Sequence, residues 1–250
     1  VVLVAGSTTA ELKSGGAVSI AAGYGSSNSQ GRGGNVFVTG GAGNGGFGGD
    51  VVVESGFGTD LTSGSVLVGT PDSGYSGVSG GIRFSTGTSS SGGSGFFTIT
   101  TGASTGGPGG SVSVTVGSGD TNAGGDVIVT AGQTMADTVA GGKVSMTAGL
   151  GSSTTEGAGG AVSLTAGEGN GGTGGAISLT TGMGAATTSG GIFVSTVNAG
   201  TVGVSGAITF STGTTSSGTS GFFTVTTGAA TGGKSGAFEM TVGSGNSGTG

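Results

Sequence analysis

Side-chain chemistry rests on His, Cys, clustered carboxylates or a basic patch, and this chain of 250 residues contains no His and no Cys. Acid–base, nucleophilic or metal-ligating work would therefore fall on 11 acidic residues. Asp50, Glu54, Asp60, Asp72, Asp120 and Asp126 recur at no fixed spacing that would pair two carboxyls as acid and base. They read as solvated turn residues. The basic residues Lys13, Arg32, Arg83, Lys143 and Lys234 are scattered along a chain of net charge −6. Such a balance builds no electropositive stripe for a phosphate backbone, so nucleic acid is not an expected partner. Neither catalysis nor a cofactor nor a resident metal is expected.

Three local patterns invite chemistry and fall short. GGFGGDVVV, Gly45 to Val53, matches the calcium nonapeptide of RTX repeats. It stands alone, and the equivalent GGTGGAISL has Ala176 where Asp50 stood, so a Gly turn is the better reading. GGAGNGG is not followed by the Gly-Lys-Ser/Thr of a phosphate loop. Asn28, Asn35, Asn44, Asn122, Asn170, Asn198 and Asn246 all lack the hydroxyl residue two positions on that N-glycosylation needs. O-linked glycans on hydroxyl-rich turns such as Ser89 to Ser91 and Thr214 to Ser217 are left open by composition alone.

What organises the chain is a repeat. It reads Gly or Ser, Gly, any residue, apolar, any, apolar, hydroxyl, small, Gly, as in GGAVSLTAG (159–167) and GGAISLTTG (174–182). The first apolar position is Val1, Val18, Val36, Val51, Val66, Ile82, Phe97, Val112, Val127, Val144, Val162, Ile177, Ile192, Ile208, Phe223 and Phe238. The second lies two residues later, from Leu3 to Met240, and successive copies are 15 to 18 residues apart. Period-two alternation of β-branched and aromatic residues reads as a short strand with one buried face, and the Gly tracts between read as turns.

One short strand per repeat leaves room for a return of roughly ten residues and no helix. Like residues recurring in register then predict an all-β fold, a parallel β-solenoid (β-helix) of about sixteen rungs. At about 4.8 Å per rung the stack would be roughly 75 Å long, with eight rungs repeating every 38 Å or so. A meander sandwich, with strands of alternating direction, is the structural alternative; the shared register favours the solenoid. Each rung has a thin core of two large apolar residues and one small one, so stability is expected to grow with rung number.

A larger period overlies the first. FSTGTSSSGGSGFFTITTG (84–102) returns as FSTGTTSSGTSGFFTVTTG (210–228), an offset of 126 residues that holds rung for rung. The chain thus divides into two eight-rung modules, 1–126 and 127–250, read as one continuous rod. It begins on a strand and ends in GSGNSGTG with no cap at either end, so it is expected to be part of a longer array or a unit stacking end to end. VVLVAGSTTAELK carries no basic leader, and no run reaches the 18 or so apolar residues of a membrane span, so no membrane insertion is expected.

The outward positions supply two candidate sites. After the second apolar residue a hydroxyl recurs, forming a ladder of Thr100, Thr115, Thr130, Thr147, Thr165, Thr180, Thr226 and Thr241. Between the two apolar residues the column carries Phe37, Val52 and Leu67 on consecutive rungs, joined by Ile128 and Phe193. A run of outward apolar residues is most simply a lateral contact with another chain.

These Gly/Ser/Thr-rich repeats resemble the long solenoid repeats of extracellular fibres and surface adhesins in bacteria and microalgae. The resemblance covers the whole chain through its pattern, and it implies an extracellular or cell-surface location. The leading expectation is a non-catalytic structural protein, the shaft of a filament or appendage that assembles with itself. The alternative is a binding module: the Thr ladder is similar to the ice-binding face of solenoid antifreeze proteins, and the shaft is similar to an adhesin stalk. A polysaccharide-degrading solenoid ranks third, for want of clustered carboxylates.

Overall fold

Where the chain turns is set by glycine, because a closed loop needs backbone to approach backbone. In the computed structural model, which describes residues 2–27, 29–121 and 123–245, the ends of successive Gly-rich loops meet. The Gly16 amide donates to the Gly6 carbonyl at 2.8 Å, Gly34 to Gly23 at 2.9 Å, Gly49 to Gly41 at 2.8 Å and Gly64 to Gly56 at 2.9 Å. Four more closures stand 126 residues on: Gly142 to Gly132 at 2.8 Å, Gly160 to Gly149 at 2.9 Å, Gly175 to Gly167 at 2.9 Å and Gly190 to Gly182 at 3.1 Å. The chain divides into two units, Val1–Gly125 and Asp126–Gly250, each holding four of these closures.

The glycines are there for space. A Cβ on Gly58 would lie 2.6 Å from the Thr62 carbonyl oxygen, and one on Gly184 would collide with the backbone of Thr188. Both distances are inside van der Waals contact, so the loop would have to open. In the later loops of each module a larger residue takes one side of the closure. Thr86 faces Gly95 and Thr101 faces Gly110, with 3.3 and 3.4 Å between the Thr Cβ and the position a Gly Cβ would take. Thr70 Oγ1 also donates to the Gly80 carbonyl at 3.0 Å.

Hydroxyls shape the loop interiors. The amide of Ala10 donates to Thr8 Oγ1 at 3.2 Å and that of Ala136 to Thr134 Oγ1 at 3.1 Å. Ser27 Oγ accepts from the Ser29 amide at 3.3 Å, as Ser153 Oγ does from Thr155. These are side-chain turns of the kind Ser and Thr favour. Leu12 (φ 56°) and Thr138 (φ 63°), 126 residues apart in equivalent loops, take the left-handed conformation.

Between loops run short arms, such as Phe97 to Thr101, and their direction overturns the solenoid. Thr86 abuts Gly95 and the Phe84 ring stacks on Phe97, with centroids 5.9 Å apart and planes 20° from parallel. A step back of two residues on one arm is matched by a step forward of two on the next, which is the signature of a chain reversal. In the second unit Thr212 abuts Gly221 and Phe210 stacks on Phe223 at 6.1 Å and 25°. A parallel stack would instead set Phe84 over Ile99, its equivalent one repeat on.

Among the described residues the arms form no hydrogen-bonded ladder past the loop closure. Among the described residues there is no helix and no strand, so the chain is mostly non-regular and is not an all-β solenoid or β-helix. The physical reason is that alternation fixes which side chains share a face and leaves arm direction free. Loops whose ends meet turn the chain back rather than around a coil. The rod length and axial spacing expected from stacked rungs fall with that correction. Val1, Asn28, Asn122 and Asn246, with the end of the last Gly-rich turn, lie outside the described residues.

A packed core is also missing: among the described residues no side chain is buried. The most sheltered positions cluster at the loop bases, where Gly25, Gly40, Gly58, Ala131, Ala148, Ala166, Thr181 and Gly184 are half-buried. That follows from the closures, which bring backbone against backbone there.

Candidate interaction faces

The alternation read from the sequence survives in the exposures. In the arm Val36-Phe37-Val38 the three side chains are 53, 84 and 73% exposed, and in Ile192-Phe193-Val194 they are 56, 94 and 63% exposed. The middle residue is also the most exposed in the arms containing Val52, Leu67 and Ile128. First and second apolar positions therefore share a more sheltered face, and the middle position points the other way. The Phe84–Phe97 and Phe210–Phe223 stacks join second to first positions on that sheltered face.

The proposed lateral residues Phe37, Val52, Leu67, Ile128 and Phe193 thus stand on the outward side, between 73 and 94% exposed. Phe193 folds its ring back over Gly191, where a Cβ would lie 3.0 Å from the ring edge. Thr100, Thr115, Thr130, Thr147, Thr165, Thr180, Thr226 and Thr241 are exposed as well. Among the described residues no strand lies beneath them.

Charge separates the two faces more sharply than hydrophobicity does. Asp50, Glu54, Arg83, Asp126, Lys143 and Glu239 are the charged residues of the arms. Every one stands an odd number of residues from the first apolar position of its arm, and so on the outward face. The other charged residues lie in loops. The face made by first, second and small third positions carries no charge at all. This segregation is carried by the sequence itself, in the parity of the charged positions along each arm.

Among the described residues no cluster of three His, Cys, Asp or Glu is close enough to share a metal ion. A hollow beside the loop after Phe210 is lined by Thr212, Gly213, Thr214, Thr215, Gly218, Thr219 and Ser220, with no ionisable group among them. Its Thr215 Oγ1 donates to the Ser217 carbonyl at 3.1 Å and accepts from the Ser217 amide at 3.3 Å. Among the described residues no helix is long and apolar enough to cross a membrane. The loop-closing glycines were read from the sequence as turns, and their pairing across each loop was not. Their recurrence 126 residues apart was the signal that could have found them.

The chain matches no protein-family model, no curated protein and no solved structure.

Proposed function

We propose that this chain is a non-catalytic structural protein that gains a core by associating with copies of itself, the building unit of an extracellular filament or cell-surface appendage. The observation that carries the reading is its exposed surface. The chain exposes 24,333 Å² at a mass of 22.5 kDa. A folded monomer of that mass exposes about 9,500 Å² and an extended chain about 33,000 Å². Apolar surface left in water is costly at roughly 25 cal/mol per Å², and association is the way a chain of this kind removes it.

The outward residues Phe37, Val52, Leu67, Ile128 and Phe193 serve as lateral contacts between assembled copies. Extracellular placement rests on the likeness of the Gly/Ser/Thr repeats to those of surface fibres and adhesins. O-linked glycans on the hydroxyl-rich loops fit the same setting.

Sedimentation velocity over a wide dilution series, with electron microscopy of the most concentrated sample, tests the reading. Sizes that grow with concentration and elongated assemblies are expected. A single 22.5 kDa species at every concentration rejects it.

A further inference from the structure

We infer that the charge-free apolar face of the arms is covered by the same face of a second copy of this chain. The inference rests on the self-assembly reading and says which surface carries it. The outward strip then makes secondary, lateral contacts.

Five observations converge on a like-for-like partner. The face made by residues such as Val112, Val114, Ile177 and Leu179 bears no charge, while every charged arm residue stands on the opposite side. A surface without charge has no electrostatic requirement to place on its partner, and an identical surface satisfies it without leaving a charge desolvated. Where the chain does bring two side chains of this face together, like meets like: Phe84 on Phe97 and Phe210 on Phe223.

Spacing and area carry the remaining weight. Arms recur every 15 to 18 residues with the same residue types, and the series repeats after 126. A second copy presents that spacing automatically, and in an isologous pairing whose two-fold axis runs along the series of arms each arm meets its own equivalent. The exposed area exceeds that of a folded monomer by about 15,000 Å². A stable dimer needs only about 800 Å² per partner, a small part of that excess. Small third-position residues, Ala131, Ala148 and Ala166, let the loop bases of two copies approach closely.

The absence of native Cys gives a clean test in the full chain. Ile177→Cys and Val112→Cys place single thiols on the apolar face, and Ser178→Cys and Ser113→Cys place them one residue away on the outward face. Labelling with a soluble maleimide is compared between assembled protein and protein dissociated in urea. Assembly should slow labelling of Ile177→Cys and Val112→Cys roughly tenfold or more, with little change at the neighbours. Oxidation of assembled Ile177→Cys should give a covalent dimer, which a single-Cys chain can form only with another copy.

Should the chain assemble while Ile177→Cys labels as fast as Ser178→Cys, the face is uncovered and the inference fails with the self-assembly reading intact. Protection without any covalent dimer would mean that something other than the equivalent face covers it, and overturns the pairing. A wild-type chain that stays monomeric fails the self-assembly reading itself. Ile177→Glu and Ser178→Glu give a second measure: the first should abolish assembly and the second leave it, and equal effects would overturn the assignment of the face.

Discussion

The ring of Phe84 lies 5.9 Å from that of Phe97 with planes 20° apart, which ties the second apolar position of one arm to the first position of the next. Because Thr86 meets Gly95 on the loop side of that stack, the two arms run in opposite directions. The contact decides between two topologies that share one sequence pattern.

Disulfide trapping checks that direction. Phe84→Cys combined with Phe97→Cys should close an intrachain disulfide in dilute protein more readily than Phe84→Cys combined with Ile99→Cys. A parallel stack would reverse the order. Thiols more than about 7 Å apart between Cα atoms cannot be bridged without backbone movement, so the two pairs should separate clearly.

Loop closure should depend on glycine at some positions and not at others. A Cβ on Gly58 would sit 2.6 Å from the Thr62 carbonyl oxygen, whereas one on Gly56 meets nothing within 4 Å. Gly58→Ala should open its loop and speed proteolysis between Gly56 and Gly64. Gly56→Ala keeps the accepting carbonyl and stiffens the unfolded chain, an effect worth about 0.4–1 kcal/mol where the backbone permits it. Limited proteolysis of the two variants, with Gly184→Ala and Gly182→Ala in the second unit, reads the difference.

Hydrogen exchange should report two classes of amide. In the dissociated chain the amides of Gly16, Gly34, Gly49 and Gly64 and of Gly142, Gly160, Gly175 and Gly190, each held by one loop-closing bond, should exchange more slowly than those of the arms. Arm amides should gain protection only on assembly. Uniform protection of the arms in dilute protein would mean that a ladder forms without a partner.

Assembly driven by charge-free surface should follow the solvent response of apolar burial. Sulfate should lower the concentration at which copies associate, and urea should raise it. Sodium chloride between low and physiological strength should change little, because screening acts on charges and the covering face has none. A steep decline with sodium chloride, read by sedimentation, would point to the outward charges Arg83, Lys143 and Glu239 as the adhesive groups.

Much of the local order was legible. The period of two is visible in the exposures of Val36, Phe37 and Val38, and Gly tracts such as 40–49 are indeed where the chain turns. The sense in which arms follow one another was not legible. Val112 and Val127 occupy equivalent positions whether the loop between them carries the chain around a coil or back alongside itself.

The sequence by itself determined where the chain bends, which residues share a face, that this face is free of charge, and that the pattern restarts after 126 residues. These are consequences of covalent order, alternation and glycine's lack of a Cβ. Only the tertiary structure decided that loop ends meet, that Phe84 finds Phe97 instead of lying over Ile99, and that no arm is roofed. Those depend on contacts between residues eight to thirteen apart, and on whether two charge-free side chains find enough company within one chain to leave water. Among the described residues they do not, and within a single copy the face stays open.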